Sequence, residues 1–189
     1  MILKKLNTSV WCLLFFVIIL DQLTKIIVKT TFQHGEMVMV MDWFYLYFVE
    51  NNGFAFGIEL FGDIGKLTLT LLRVFFVLIL FRWLLDLINQ KQSKVLIFSF
   101  TLIIAGAVGN LIDSIFYGVI FGESPLFFGK VVDMFYFPFK SGFYPDWLPF
   151  LGGKEFVFFR YIFNIADASI TSGAILFLLF YKKLKLKES

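Results

Sequence analysis

Four long apolar runs constrain the fold of this chain more than any other feature of its sequence. A helix crosses the hydrocarbon core of a bilayer with about 20 apolar residues, and each run is of that order. Hydrophobic residues make up 59% of the 189 positions and charged residues only 16%, which leaves more apolar surface than a soluble domain can bury. The sequence predicts a membrane protein, mainly α-helical, in which residues 1–189 form a single integral membrane domain. The predicted transmembrane helices are about 10–30, 67–86, 95–113 and 161–181.

Several classes of site are excluded by residues that the chain lacks. His34 is the single histidine and Cys12 the single cysteine, so neither a His-Glu-x-x-His zinc site nor an intrachain disulfide can form. His34 has no Gly-x-Ser-x-Gly turn to serve as a triad partner. The net charge is only +3, and the sequence has no basic patch of the kind that binds nucleic acid. We expect no metal, no cofactor and no nucleic-acid partner.

The distribution of charge predicts how the helices are oriented. Basic residues gather at both termini and in the 82–94 connection, whereas nearly all acidic residues lie in the other connections or at the helix ends beside them. The positive-inside rule places both termini and the 82–94 connection in the cytoplasm. The 32–65 segment and the long 114–160 loop then lie on the outer face, together with most of the carboxylates.

The outer 32–65 segment has the pattern of β-strands. Residues 37–41 and 43–49 are rich in strand-forming side chains, and Asn51-Asn52-Gly53 is a turn signal. Its aromatic residues suit the boundary between headgroups and acyl chains. We predict a small β-sheet that lies as a cradle on the membrane surface.

Asn and Asp residues recur with the same spacing at the outer ends of two predicted helices. Asn110 and Asp113 end the third apolar run, and Asn164 and Asp167 begin the fourth. Residues three apart share one face of a helix, so each pair can reach one ligand. A carboxylate next to so much hydrocarbon costs several kcal/mol unless it is paired, solvated or neutralised. These positions are therefore candidates for a functional site.

Asp133, in an apolar stretch of the long loop, is the natural partner for Asp167. Two carboxylates held together in a poorly solvated site share one proton, which is how aspartic proteases work. The same carboxylates also suit a proton pathway in a small membrane carrier. A non-enzymatic assembly factor, whose polar residues only pack helices, is a third hypothesis. The residues alone leave these alternatives open.

Other polar and small residues within the apolar runs have simpler interpretations. Asp21 and Lys25 are four apart and predict an ion pair on the first helix. Arg73 is interpreted as reaching the outer headgroups with its long side chain. Gly106 and Gly109 predict a close approach by a neighbouring helix.

Five motifs, taken in chain order, resemble those of the bacterial lipoprotein signal peptidases, also called signal peptidase II, and the resemblance covers nearly the whole chain. They are Asp21-Gln22-Leu23-Thr24-Lys25, Asn51-Asn52-Gly53-Phe54-Ala55-Phe56-Gly57, Gly109-Asn110-Leu111-Ile112-Asp113, Val131-Val132-Asp133-Met134-Phe135 and Phe163-Asn164-Ile165-Ala166-Asp167. Any one of these motifs is weak evidence for the resemblance, but five in the right order on a chain with four predicted spans are strong evidence.

The resemblance implies an aspartic endopeptidase of the bacterial cytoplasmic (inner) membrane, with Asp133 and Asp167 as its catalytic pair. Its implied substrates are prolipoproteins whose cysteine already carries diacylglycerol, cut on the amino side of that cysteine. Membrane lipids are further partners, and a monomer is expected. Asp21 and Lys25 are implied to stabilise the first helix. The residues implied to shape or support the site are Asn51, Gly53, Asn110, Asp113, Asn164 and Ala166.

Two departures from the family pattern stand out. Ser114 follows Asp113 where the family usually has arginine, and Arg160 is one candidate to take the place of that arginine. The loop from Gly118 to Glu155 is also longer than the usual connection, which suits either a lid over the site or an elaboration of the surface.

Overall fold

The computed structural model describes residues 2–52 and 62–185. Within these residues the long helices are α1 (Ile2–Thr31), α2 (Gly62–Asn89), α3 (Lys94–Ile112) and α5 (Ile165–Lys185). Helix α3 continues through a π-helical turn, Asp113–Tyr117, into the short α4 (Gly118–Ile120). In the described residues, two helical stretches, Asn7–Thr31 and Lys94–Ile120, are long and apolar enough to cross a membrane, and Ile165–Phe180 is a shorter apolar helix. Four spans therefore remain a prediction.

The ends of three helices differ from the predicted ones. Helix α2 begins at Gly62 instead of residue 67 and includes Gly65, and Asp63 in its first turn interacts favourably with the positive end of the helix dipole. Helix α3 itself ends at Ile112, beside the predicted 113, but the helical stretch continues through the π-helical turn to Ile120. The fourth begins at Ile165 instead of 161, because residues just before it pair as a strand.

Helix α3 is central and packs against α1, α2 and α5. Glycines make its contact with α5 close: a Cβ at Gly106 would collide with the backbone oxygen of Ala166, and one at Gly173 would lie 2.6 Å from the backbone oxygen of Ser99. A Cβ at Gly109 would lie 2.5 Å from Oδ2 of Asp21 on α1. The predicted close approach at Gly106 and Gly109 is confirmed, and no larger residue fits there without movement of the helices.

The four-stranded sheet is antiparallel, with the order β1-β2-β3-β6. Its strands are β1 (Met37–Met41), β2 (Phe44–Asn51), β3 (Val131–Tyr136) and β6 (Ile162–Phe163). The predicted strands in the 32–65 segment are thus confirmed, but the sheet is completed by β3 from the long loop and by β6 from the start of the predicted fourth span. The rest of that loop holds a hairpin, in which β4 (Lys140–Phe143) pairs with β5 (Glu155–Phe158). Gly53 lies outside the described residues.

The register of the sheet determines which side chains meet. Strand β2 pairs Asn51 with Val131 and Val49 with Asp133, so the end of β2 lies beside Asp133. Strand β6 pairs Phe163 with Phe135 and leads directly into Asn164 and α5. The sheet therefore brings Asp133 to the beginning of the last helix.

Candidate active site

Asn164 caps the amino-terminal end of α5. Its Oδ1 accepts a hydrogen bond from the backbone N–H of Asp167 at 2.9 Å, and Oδ2 of Asp167 accepts one from the backbone N–H of Asn164 at 3.4 Å. This reciprocal pair is a capping box, which satisfies backbone donors that a helix start leaves free. The sequence interpretation put both residues on one face of a helix, but Asn164 precedes the helix. The cap fixes Asp167 in the first turn, where the helix dipole favours a negative charge.

The amide group of Asn164 also connects both candidate carboxylates to α3. Its Nδ2 lies within 2.6 Å of Oδ1 of Asp133, 3.1 Å of Oδ1 of Asn110 and 3.2 Å of the backbone oxygen of Val132. Asn110 in turn donates from Nδ2 to Oδ1 of Asp167 at 2.8 Å. Asp133 and Asp167 therefore share one hydrogen-bonded frame of asparagines, as their predicted partnership requires.

Asp133 is held on both of its oxygens. Asn164 donates to Oδ1, and Nδ2 of Asn51 donates to Oδ2. Its side chain is almost fully withdrawn from solvent, with 4% of the residue exposed. Burial, and secondly the negative charge of Asp167, raise the pKa of Asp133 to about 8. Both effects favour the protonated form of the Asp133 carboxyl group.

Lys25 lies at the centre of a second, fully buried cluster beneath the asparagines. Its Nζ lies 2.9 Å from Oδ2 of Asp21, 2.7 Å from Oδ2 of Asp113 and 2.9 Å from Oδ1 of Asn110. The predicted pair of Asp21 and Lys25 is confirmed, and Asp113 joins it. Oδ1 of Asp21 accepts from the backbone N–H of Ala166 at 2.8 Å, which ties α1 to the start of α5.

Gln22 is a member of this cluster to which the sequence interpretation gave no role. Its Nε2 donates to Oδ1 of Asp113 at 2.9 Å and to the backbone oxygen of Gly109 at 3.1 Å, and Tyr117 donates to its Oε1 at 3.2 Å. The signal was present, because Gln22 is a polar residue beside Asp21 in an apolar run. It keeps Asp113 facing Lys25.

Arg73 was predicted to reach the outer headgroups, and the structure corrects this. The side chain is half-buried, and its Nη1 donates to Oγ of Ser114 at 2.8 Å. Arg160, one candidate to replace the family's arginine after Asp113, is exposed. A guanidinium from α2 therefore occupies the neighbourhood of Ser114, because the α2–α3 packing turns this face of α2 inward.

The described part of the chain has no set of three or more His, Cys, Asp or Glu side chains arranged to hold a metal ion. Within the same residues, every buried side-chain nitrogen and oxygen has a hydrogen-bond partner. The arrangement offers one carboxyl group that keeps its proton, a second one at a helix start, and amide groups that orient both. Such a pair can supply a general acid and a general base to one reaction.

Comparison with known proteins gives a consistent result along the whole chain. A family model described as "Signal peptidase (SPase) II" matches residues 13–182. A lipoprotein signal peptidase of Porphyromonas gingivalis is 45% identical over 187 residues, which cover 90% of this chain and 81% of that protein. One of Chlorobaculum parvum is 37% identical over 169 residues, covering 88% of this chain and 91% of that protein.

Two solved structures described as bacterial membrane enzymes have a similar fold. The first has a TM-score of 0.66 and 26% identity, and the match covers 96% of this chain and 92% of that chain. The second has a TM-score of 0.63 and 27% identity, with 91% of each chain covered.

Proposed function

The chain belongs to the signal peptidase II family, whose lipoprotein signal peptidases remove signal peptides from prolipoproteins, and from this premise we propose that it does so as an aspartic endopeptidase. Asp133 and Asp167 are the catalytic residues. The observation that carries the proposal is that Asn164 and Asn110 connect these two carboxylates in one frame. The comparisons lend no support to the alternative of a proton-coupled carrier.

The resting pair holds one proton, which we assign to Asp133. Two observations support this assignment. Asp133 is the more deeply buried member, and its pKa is raised to about 8. Asp167 receives a backbone hydrogen bond at the positive end of the α5 dipole, which stabilises the ionised carboxylate.

The reaction then follows from the two protonation states. Asp167 takes a proton from water, and the water oxygen attacks the carbonyl carbon of the scissile peptide bond. Asp133 gives its proton to the carbonyl oxygen, so that a tetrahedral diol forms. The C–N bond then breaks as Asp167 passes its proton to the leaving nitrogen, and Asp133 regains its proton from one hydroxyl. The products are a signal peptide that ends in a carboxyl group and a lipoprotein that begins with a free amine.

The substrate we propose is a diacylglyceryl-modified prolipoprotein, cut on the amino side of the lipidated cysteine. The part of α1 that carries Asp21 and Lys25 also exposes apolar side chains that lipid can contact, since Leu23 and Ile27 are more than half exposed. A substrate that is half peptide and half lipid can therefore reach the site from within the membrane. Asn51, Asn110 and Asn164 orient the pair, whereas Asp113 and the N–H of Ala166 brace it through Lys25 and Asp21.

We further propose a four-span topology with cytoplasmic termini and the site at the outer face. In a Cys12→Ser background, an impermeant maleimide added to intact spheroplasts should label Trp147→Cys but not Gln90→Cys. The reverse pattern would contradict this orientation.

Cleavage of a diacylglyceryl-modified prolipoprotein by the purified protein in detergent tests the mechanism. Asp133→Asn and Asp167→Asn should each reduce kcat at least 10³-fold at equal folded amounts, because the first change removes the proton donor and the second removes the proton acceptor. Asp146→Asn, an exposed carboxylate of the hairpin, is the matched control and should cleave at the wild-type rate. Mass spectrometry of the products should place the cut before the lipidated cysteine.

Near-normal cleavage by either variant would remove that aspartate from the mechanism while leaving the family assignment intact. A wild-type protein that cuts an unlipidated precursor equally well would contradict the proposed substrate.

A further inference from the structure

We propose that Arg73 is a positioning residue for this reaction, which holds Asp167 in place and sets a second positive charge beside the catalytic pair. The inference rests on the aspartic mechanism proposed above, and goes beyond it by giving α2 a part in the chemistry. None of the sheet or helix residues described so far as supporting the pair belongs to α2.

Helix α2 turns a polar face towards the outer segment that follows α3. Lys66, Thr70 and Arg73 have the spacing of one helix face. Oγ1 of Thr70 lies 3.0 Å from the backbone oxygen of Phe127, and Nη1 of Arg73 lies 2.8 Å from Oγ of Ser114. Lys66 and Thr70 are buried, so this face is packed against protein and not against lipid.

A chain of hydrogen bonds leads from Arg73 to the catalytic pair. Arg73 donates to Oγ of Ser114, which donates to the backbone oxygen of Asn110 at 2.9 Å. The side chain of Asn110 donates to Oδ1 of Asp167 at 2.8 Å. Movement of the guanidinium would therefore be transmitted to the amide that holds the proposed base.

The charges of the cluster explain why a second cation is needed. Asp21, Asp113, Asp133 and Asp167 come together here, and Lys25 binds the first two. With one shared proton and one lysine, two negative charges are left uncompensated in a poorly solvated site. Such charges are costly unless a cation lies near them.

Arg73 supplies that cation. The negative charges that act on its guanidinium are those of Asp167, Asp113 and Asp133. Lys66 also faces the cluster, since its charge interacts with Asp113, but its Nζ donates to the backbone oxygen of Asn52 at 3.0 Å. The hydroxyl of Tyr117 donates to Gln22.

Loss of this charge should disfavour the ionised base. A carboxylate beside an arginine commonly titrates one to three units lower than it would alone, roughly. Arg73→Gln should therefore move the acidic limb of the kcat/KM profile to higher pH by about one unit. Arg73→Lys keeps the charge and should leave that limb in place, with a lower kcat because an ammonium group lacks the planar fork of donors.

The experiment is a pH profile of prolipoprotein cleavage for the wild type, Arg73→Gln, Arg73→Lys and Ser114→Ala. Ser114→Ala keeps the charge but removes the hydrogen-bond relay, so it should lower kcat without shifting the limb. Arg82→Gln is the matched control, since Arg82 is an exposed residue of the same helix that pairs only with Asp86 within the described residues. Its profile should coincide with that of the wild type.

An unshifted acidic limb in Arg73→Gln would overturn the proposal, whatever the value of kcat. If Arg73→Gln does not fold, Arg73→Met takes its place in the experiment. Failure of both variants to fold would also overturn the proposal, because a purely structural role of Arg73 would then explain the result. Asp167→Asn in the same assay separates the two proposals. If that variant cleaves normally, the aspartic mechanism itself fails, whereas an inactive Asp167→Asn with an unshifted Arg73→Gln removes only the role of Arg73.

Discussion

The buried polar cluster and the aromatic hairpin of residues 140–158 belong to the same end of the chain's fold, but they are held in opposite ways. The cluster is assembled from α1, β2, β3, α3 and α5, and its hydrogen bonds join residues as far as 145 positions apart. The hairpin is held mainly by its own ladder and turn bonds, and its tip exposes 78% of Trp147 and 94% of Phe150. The candidate active site therefore depends on contacts between distant parts of the chain, whereas the hairpin tip can change without disturbing those contacts.

The largest effect is expected from Lys25→Met in the cluster. The change leaves Asp21 and Asp113 buried without their counter-ion, which costs about 3–5 kcal/mol of stability. Thermal unfolding in detergent, followed by circular dichroism, should show the loss. Lys154→Met, an exposed lysine of the hairpin, is the control and should change stability by no more than about 0.5 kcal/mol. Equal stability of the two variants would mean that the ion pairs do not hold the cluster together.

Asn164→Ser and Asn164→Ala separate the two roles of the cap. Serine can still cap α5 but cannot donate to Asp133, so we expect near wild-type stability and about 10²-fold slower cleavage from misplaced carboxylates. Alanine should lose the same activity and a further ~1 kcal/mol of stability. Normal cleavage by Asn164→Ser would show that the shared amide does not position the pair.

The raised pKa of Asp133 predicts how activity and stability depend on pH. Above about pH 8 the proposed acid loses its proton, so activity at pH 9 should be about a tenth of the plateau value. Between about pH 3.9, the ordinary aspartate pKa, and about pH 8, Asp133 holds a proton in the folded chain but not in the unfolded chain. The free energy of unfolding therefore falls as pH rises through this window. Cleavage and unfolding measured from pH 5 to pH 9 check both, and Asp146→Asn in the hairpin should follow the wild-type curves. Constant activity to pH 9 would contradict the assignment of the proton.

The smallest effect is expected at the hairpin tip. Trp147→Ser and Phe150→Ser remove exposed side chains, so stability should stay within about 0.5 kcal/mol and kcat within about twofold of the wild type. A large fall in kcat at unchanged stability would instead support a lid over the site and would weaken the contrast between the two regions.

Much of the polar cluster could be predicted because short-range spacing determines it. Asp21 and Lys25 are one helical turn apart, and the repeated Asn-x-x-Asp spacing ends one helix and begins another at the same level. These are properties of helix geometry alone. The structure finds all of these residues in one hydrogen-bonded network.

The parts that could not be predicted depend on packing between distant elements. Arg73 was assigned to the headgroups because periodicity shows which residues share a face but not what that face meets. The polar spacing of Lys66, Thr70 and Arg73 was the available signal for a buried face. The last helix was predicted to begin at residue 161 because the apolar run begins there, whereas pairing of β6 with β3 gives residues 162–163 to the sheet.

The hydrogen bond between the N–H of Ala166 and Asp21 has a consequence for biogenesis. It joins the first helix to the last, across 145 positions of the chain. Ribosomes deliver the first helix to the membrane long before the last one is made, so until α5 is inserted Asp167 is absent and Asp21 has Lys25 but not the N–H of Ala166 as a partner. On the proposed aspartic mechanism, an unfinished chain therefore cannot cut neighbouring precursors at the insertion machinery, and its proteolysis is delayed until its own synthesis is complete.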